Sequence, residues 1–195
     1  MKLESKRIYL RNIRKSDAET ILDTTKIDEM RYMTGTKHTF TLDQIKDYIE
    51  KVQNDPSRYD FAICLKDNDN MIGDLSILDI NKEDSKAGFR IALSTIDLTG
   101  EGYGTEAIRC VLPFVFEELK LNRLQLEVYS HNLRGIRSYE KVGFIKEGVL
   151  RQSLFYNGTY SDEIIMALLK EDYDNLLIGK DVSFEKNKIE TSDRG

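Results

Sequence analysis

Short stretches in which apolar and polar residues alternate predict most of the strands of this chain. Between residues 6 and 13, the apolar Ile8 and Leu10 alternate with Arg7 and Tyr9, a pattern typical of a half-buried strand. Further strands are predicted at 59–65, 71–80, 87–93, 123–129 and 144–149, with a last apolar run at 164–169.

Two polar segments predict tight turns between neighbouring strands. The segment Asp67–Asn70 joins the strands at 59–65 and 71–80 into an antiparallel hairpin. The dipeptide Asn157-Gly158 is a strong signal for a two-residue hairpin turn.

Capping signatures and helical spacing predict helices between these strands. Ser16 with Glu19 three residues later predicts a helix that continues to about Thr25. Thr41 with Gln44 predicts a second amphipathic helix, which should end before Pro56.

Three more helical segments are predicted with less regular ends. The segment Met30–Gly35 is expected to form a short helix and a loop. A helix after residue 104 contains Pro113, which should kink it because proline has no N–H to donate. A helix at 132–142 should end at Gly143.

The order of these elements predicts a single α+β domain at 1–178, followed by a charged and loosely ordered tail at 179–195. The sheet is expected to be mixed and mostly antiparallel. Because the antiparallel hairpin precedes the glycine-rich segment, the order argues against an all-parallel nucleotide-binding α/β protein.

The composition and charge of the chain argue against membrane proteins and nucleic-acid-binding proteins. The chain has 195 residues, 40% of them hydrophobic and 32% charged, which is ordinary for a globular domain. No apolar run approaches the roughly 18 residues of a membrane span, and no signal peptide is apparent, so we expect a cytoplasmic protein without membrane contact. The net charge of −5 disfavours a nucleic-acid partner.

Cysteine and histidine usage indicates neither a disulfide framework nor a metal site. Cys64 and Cys110 each lie among apolar residues and are expected to be small core side chains. His38 and His131 stand in polar surroundings without zinc spacing or a catalytic-triad pattern. We therefore expect no metal.

The glycine-dense segment Thr99–Gly104 runs directly into a predicted helix. The free N–H groups and positive dipole at a helix start, together with glycines that allow close approach, favour a bound diphosphate. The segment lacks the lysine of a P-loop and the spacing of a dinucleotide-binding fold. Many such turns are purely structural, so this segment alone does not decide the function.

A second segment, Asn132–Phe144, makes the function of the glycine-dense segment easier to interpret. Asn132 precedes Tyr139 by seven residues, and Glu-Lys-Val-Gly-Phe follows that tyrosine. This pattern closely resembles a signature of the GNAT superfamily of N-acetyltransferases. The segment Thr99–Ala107 resembles another GNAT signature, and the two occur in the order that the family uses. The resemblance extends over about 6–175.

The resemblance implies transfer of an acetyl group from acetyl-CoA to a primary amine by direct attack. It also implies that the parallel strands at 87–93 and 123–129 splay apart and hold the pantetheine arm between them. The residues that the resemblance assigns to coenzyme A are Ile91, Ala92, Leu93, Thr99, Gly100, Gly102, Tyr103, Gly104, Thr105, Asn132, Arg137 and Lys141.

The resemblance gives Tyr139 the role of general acid for the leaving thiolate. A phenol of pKa about 10 is able to protonate a thiolate of pKa about 8.5 in a desolvated site. The structural alternative is that Tyr139 only packs against a neighbouring helix.

Glu127 is the candidate base for the attacking amine, because some ribosomal-protein N-terminal acetyltransferases resemble this chain in having a glutamate there. The alternative is an ion pair between Glu127 and Arg123 or Arg151. Asp74 and Asp79, on the hairpin before the glycine segment, are weaker candidates.

Two residues depart from the family pattern. Thr99 stands where the family has Arg or Gln, and Glu101 stands where Lys or Arg is frequent. A negative charge near a diphosphate is unfavourable unless it points to solvent, so reduced affinity for coenzyme A is expected. Arg109, Arg134 and other nearby cations are candidates to offset it.

The sequence therefore predicts an N-acetyltransferase that most resembles the branch with ribosomal-protein N-terminal and spermidine acetyltransferases. The acceptor is a small amine or a peptide N-terminus, and the protein is a monomer or homodimer. The alternative is a non-catalytic acyl-CoA-binding or regulatory module with the same fold. The expected acceptor loops, at 26–40 and 150–162, contain aromatic residues and methionines that are equally suited to a core.

Overall fold

Eight strands form one open sheet in the computed structural model, which describes residues 1–178. The predicted tail at 179–195 lies outside the described residues. The strands are β1 (Lys2–Glu4), β2 (Ile8–Asn12), β3 (Tyr59–Leu65), β4 (Met71–Asn81), β5 (Lys86–Leu93), β6 (Arg123–Tyr129), β7 (Ile145–Tyr156) and β8 (Thr159–Leu169).

Six α-helices accompany the sheet within the same residues. They are α1 (Ala18–Thr24), α2 (Asp28–Thr34), α3 (Leu42–Gln53), α4 (Tyr103–Pro113), α5 (Leu133–Val142) and α6 (170–178). The last of these has no counterpart among the predicted elements. In the described part of the chain, no helix is both long and apolar enough to cross a lipid bilayer.

The sheet opens between its two central strands. The strand order is β1-β2-β3-β4-β5-β6-β8-β7, and only β5 and β6 run parallel. These two pair only from Lys86↔Arg123 to Gly88↔Gln125, and beyond that point they separate. Because β5 continues to pair with β4 on its other side, its edge at Ile91–Leu93 faces the resulting gap. The predicted splay and the mixed, mostly antiparallel sheet are confirmed.

Helices cover both faces of the sheet, as predicted. In β3, Phe61 and Ile63 join the large core cluster, which also contains apolar residues of α4 and α5. Ala62 and Cys64 point to the opposite face, because side chains alternate along a strand. On that face α1 and α3 pack together around Ile49.

One of the two predicted capping boxes is correct. The Gln44 N–H donates to Thr41 Oγ1 at 3.2 Å, and the Thr41 N–H donates to Gln44 Oε1 at 2.9 Å. The box predicted from Ser16 and Glu19 is wrong, because a 3₁₀ turn at Lys15–Asp17 precedes α1. There Asp17, only 5% exposed, accepts the Arg14 N–H at 2.7 Å.

The proline effect in α4 takes a specific form. The α-helix ends at Pro113, and the segment Phe114–Glu118 continues as a π-helical turn. The Leu119 N–H donates to the Phe114 carbonyl at 2.9 Å, one residue further back than in an α-helix. The structure thus shows a change of helix type after Pro113, and the side chains of Phe114 and Phe116 in the π-helical turn are buried.

Both cysteines are free thiols. Cys64 is completely buried, as predicted, whereas Cys110 is half-buried at the edge of the core. Burial raises the pKa of the Cys110 thiol to about 11, so this thiol is a poor nucleophile at neutral pH. Residues 1–178 contain no group of three or more His, Cys, Asp or Glu side chains arranged to hold a metal.

Candidate active site

A cavity of about 300 Å³ opens beside the glycine segment, between β5 and α5. Gly100 and Gly102 have φ angles of +88° and +84°, a left-handed conformation that side chains other than glycine adopt only with strain. A Cβ atom built at Gly100 or Gly104 would meet nothing within 4 Å. The loop therefore leaves an open concave surface at the start of α4.

Eleven of the twelve residues predicted for coenzyme A line this cavity. They are Ile91, Ala92, Leu93, Thr99, Gly100, Gly102, Gly104, Thr105, Asn132, Arg137 and Lys141. The twelfth, Tyr103, does not line it. Its ring packs under the guanidinium of Arg7, with 4.3 Å between the Arg7 Cζ and the ring centroid.

The charges around this cavity are mostly positive. Arg137 and Lys141 line it, as does Arg134, which also forms an ion pair with Glu29. Arg109 does not line the cavity and donates to the Lys141 carbonyl at 3.0 Å. The cationic wall therefore comes from α5.

The two departures from the family pattern have different structural roles. Glu101 is exposed and does not line the cavity, so its charge points to solvent. Thr99 lines the cavity with its hydroxyl already donating to the Ile96 carbonyl at 2.6 Å. A cationic side chain is thus missing at position 99, while Glu101 does not oppose an anion from within the cavity.

Arg7 holds the glycine loop in place, and sequence reasoning missed it. Its backbone N–H and its Nε both donate to the carboxylate of Glu106 at 2.7 Å, and its Nη1 donates to the Glu101 carbonyl at 3.1 Å. The start of α4 is thereby fixed to the beginning of β2. The only sequence signal was an acidic residue in the first turn of a helix.

A second cavity, of about 740 Å³, lies on the other face of the sheet. Its floor is formed where β5 and β6 separate, and its polar side chains include Arg90, Gln125 and Glu127. Side chains at these positions alternate with Phe89 and Leu126, which belong to the core cluster on the opposite face.

The two cavities meet at the gap between β5 and β6. The residues that line both are Met33, Thr34, Ile91, Asn132 and Tyr139. The residues predicted for coenzyme A and the candidate base Glu127 therefore lie on opposite sides of one opening, with Tyr139 between them.

Tyr139 is 8% exposed, and burial raises the pKa of its phenol to about 12. Within residues 1–178 its hydroxyl has no hydrogen-bond partner, although every fully buried polar side-chain atom there has one. The hydroxyl is therefore reachable from the cavities. A neutral O–H group at the junction is a hydrogen-bond donor available to a ligand.

Asn132 caps α5, since its Oδ1 accepts the Gly135 N–H at 3.0 Å. We expect Asn132→Ala to lower the free energy of unfolding by about 1 kcal/mol, because this N–H then loses its acceptor. Urea unfolding of the protein without coenzyme A measures this cost. Asn132→Asp, which keeps an acceptor oxygen, should retain most of the stability; equal stability of Asn132→Ala and the original protein would contradict the cap.

Glu127 is exposed on β6, where Gln125 Nε2 donates to its Oε1 at 3.3 Å. The alternative of an ion pair with Arg123 is wrong, because Arg123 Nη2 lies 2.5 Å from Glu147 Oε2 instead. In the described structure Arg151 forms no ion pair with Glu127 either. The carboxylate of Glu127 thus faces the second cavity without a cation to neutralise it.

The two weaker acidic candidates differ in position. Asp79 is exposed and lines the second cavity. Asp74 does not line it; burial raises the pKa of its carboxyl group, and Arg90 lies 3.9 Å away. Of these two, only Asp79 is open to a ligand in the cavity.

Helix α2 borders the place where the two cavities meet, and His131 contacts this helix at Tyr32. The rings of His131 and Tyr32 stack at 3.9 Å, and His131 Nε2 is 2.9 Å from the Tyr32 carbonyl oxygen. Met33, one residue further on, lines both cavities. Phe155 and Tyr156, in contrast, line a separate small cavity.

A family model and two relatives with acetyltransferase names match this chain. The model of the Acetyltransferase (GNAT) domain family matches residues 7–145. A probable N-acetyltransferase of Bacillus subtilis, YjcK, is 32% identical over 178 residues, which cover 87% of this chain and 98% of the relative. The spermidine N(1)-acetyltransferase of Vibrio cholerae is 32% identical over 106 residues, or 54% of this chain and 61% of that protein.

Solved structures show the same fold. The crystal structure of spermidine N-acetyltransferase from Vibrio cholerae, in complex with CoA and spermine, superimposes with a TM-score of 0.80 at 24% sequence identity. The match covers 87% of this chain and 99% of that one.

Proposed function

The chain belongs to the GNAT family and is an acetyl-CoA-dependent N-acetyltransferase, and we propose that it binds acetyl-CoA in the first cavity and a primary amine in the second. The main support for this proposal is that the two cavities meet at Tyr139, in the gap between β5 and β6. Two substrates that enter from opposite faces of the sheet come into contact only there.

The residues of the first cavity fit coenzyme A. The glycine loop offers an open concave surface with backbone N–H groups at the start of α4, which suits a diphosphate. Arg137 and Lys141 add positive charge. The edge of β5 at Ile91–Leu93 is free to pair with the amides of a pantetheine arm.

We expect Gly104→Ala to weaken the binding of coenzyme A without lowering the stability of the fold. The added methyl group meets no protein atom, and alanine favours a helix over glycine by about 0.5–1 kcal/mol, so the fold should be retained or slightly stabilised. The same methyl group occupies the surface proposed for the diphosphate, so affinity for coenzyme A should fall at least about ten-fold.

Isothermal titration with coenzyme A and thermal unfolding together measure these two effects. Gly148→Ala serves as a control, because Gly148 lies on β7 outside the first cavity, has no left-handed φ, and its Cβ would meet only Ile165 Cδ1 at an ordinary 3.9 Å. Unchanged affinity of Gly104→Ala for coenzyme A would contradict the proposed position of the diphosphate.

The roles of the reacting groups follow from their positions at the gap. Acetyl-CoA supplies the acetyl group as a thioester. Glu127 accepts a proton from the amine, and Tyr139, which stays protonated because its pKa is about 12, donates its proton towards the sulfur. Neither Cys64 nor Cys110 lines either cavity, so neither thiol is placed to carry the acetyl group, and we propose direct attack by the amine.

Release of free thiol from acetyl-CoA with a panel of amines tests this function. The panel contains a diamine, spermidine, an amino acid and a peptide with a free N-terminus. Thiol release with at least one amine, together with its acetylated product in mass spectra, supports the proposal. Tight binding of coenzyme A without thiol release with any amine would indicate a binding module instead.

A further inference from the structure

We infer that the preferred amine carries a carboxylate group, which Arg90 binds while the amino group lies at Glu127. This inference rests on the proposed function, since it concerns the amine in the second cavity. It assigns to Arg90 the selection of the acceptor.

Strand register places Arg90 and Glu127 opposite each other. The last parallel pair between the strands is Gly88↔Gln125, and each of these two side chains follows two residues later. Side chains two residues apart point to the same face of a strand. Arg90 and Glu127 therefore face the same cavity from the two sides of the gap, and both line it.

The other cations that line this cavity form close ion pairs, shorter than 3 Å, with carboxylates. Arg58 pairs with Asp60 at 2.7 Å, Lys86 with Asp84 at 2.8 Å, and Arg123 with Glu147 at 2.5 Å. In each case the partner lies outside the set of residues that line the cavity. These three cations are thus neutralised without a ligand.

Arg90 is held in a different way. Its Nη2 donates to Tyr48 Oη at 3.1 Å and to Ser76 Oγ at 3.3 Å, both neutral groups, and its only ion pair among the described residues is a long one, 3.9 Å from Asp74 Oδ2. All three contacts use the same nitrogen. Within residues 1–178, Nε and Nη1 have no hydrogen-bond partner, and the side chain is 54% exposed. A guanidinium that is oriented but has free donors suits a carboxylate.

Acidic groups also line this cavity. They are Asp79, Glu127 and Glu163, and in the described structure none of them forms an ion pair. An amine with one carboxylate presents its ammonium group to such an acidic side chain and its carboxylate to Arg90. A polyamine would use the acidic side chains and leave the free donors of Arg90 without a partner, so these donors are the feature that favours a carboxylated amine.

Matched pairs of amines that differ only in the carboxylate test this inference. Lysine and cadaverine form one pair, ornithine and putrescine a second, and phenylalanine and phenethylamine a third. We expect kcat/KM to be about ten- to hundred-fold higher for the carboxylated member, the range expected for a charged hydrogen bond. Spermidine and a peptide with an amidated C-terminus are assayed alongside.

Variants of Arg90 show whether this residue is responsible. Arg90→Gln should remove the preference within each pair by raising KM for the carboxylated member only. Arg90→Lys should retain part of it, because the charge remains. Lys82→Gln, which removes an exposed positive charge from the turn between β4 and β5, is the matched control and should keep the full preference.

The results of these assays test the assignment of Arg90 and the proposed function separately. Equal or higher kcat/KM for the decarboxylated members, or a preference that survives Arg90→Gln, would overturn the assignment of Arg90. Acetyl transfer only to spermidine or to the amidated peptide would do the same while leaving the proposed function in place. If no amine of any kind is acetylated, the proposed function itself fails.

Discussion

Tyr139→Phe is expected to lower kcat by about a hundred-fold or more, the usual contribution of a positioned general acid. The substitution removes only the hydroxyl, whose oxygen has no hydrogen-bond partner in the described part of the chain. The ring remains in the core cluster, where it contacts Phe144 with 5.8 Å between ring centroids. Folding and affinity for coenzyme A should therefore change little.

The pH dependence of the reaction gives an independent test of this role. A general acid must be protonated, and burial raises the Tyr139 pKa to about 12. The original protein should thus show no loss of kcat from deprotonation of this group as the pH rises to about 10. A decline centred near the ordinary tyrosine pKa of about 10 would indicate a different acid.

Tyr160→Phe is a suitable control, because Tyr160 is exposed on β8 and lies outside both cavities. It should keep the original kcat. If Tyr139→Phe also keeps the full rate of thiol release, Tyr139 has only a packing role, and the proton must come from elsewhere.

Glu127→Gln is expected to lower kcat/KM by about a hundred-fold at neutral pH for an amine with a pKa near 10.4. Such an amine is mostly protonated at pH 7.4, and its deprotonation costs about 4 kcal/mol. Without a base, the rate should follow the fraction of neutral amine and recover as the pH rises. An amine of pKa near 8 should be affected much less.

Glu83→Gln removes an exposed carboxylate from the turn between β4 and β5 and controls for net charge. Rates measured from pH 7 to 10 with both kinds of amine distinguish a base from a mere binding charge. A loss that is the same at every pH and for both amines would show that Glu127 binds the amine without accepting its proton.

Local sequence patterns predicted much of the fold and many of the residues that line the first cavity. The glycine segment and Asn132 belong to helix starts, where capping and free N–H groups have short-range signatures. The strand at 59–65 and the turn at Asn157-Gly158 depend on neighbouring residues alone, and both occur as predicted. Features that depend on a few neighbouring residues could therefore be predicted from the sequence.

Features that depend on contacts between different elements of the fold could not be predicted in this way. Arg7 and Glu106 meet across the fold, and the acidic residue in the first turn of α4 does not indicate which cation it contacts. The capping box at Ser16 does not form. Asp17 instead accepts the Arg14 N–H and two hydrogen bonds from Arg11 of β2, at 2.7 and 2.8 Å.

The position of Arg90 opposite Glu127 is a third example. It requires the parallel register of β5 and β6 and the point at which they separate. The sequence identified the two strands and the candidate base. The role that we propose for Arg90 also depends on the ion-pair partners of the surrounding cations, which the sequence does not indicate.

We propose that acetyl-CoA and the amine meet in the gap at Tyr139 and react directly. Initial rates of thiol release, with the concentrations of acetyl-CoA and amine both varied, distinguish this reaction from one through an acetylated enzyme. Direct attack requires both substrates to be bound together and predicts double-reciprocal lines that intersect. Parallel lines, the pattern of a reaction through an acetylated enzyme, would contradict the claim.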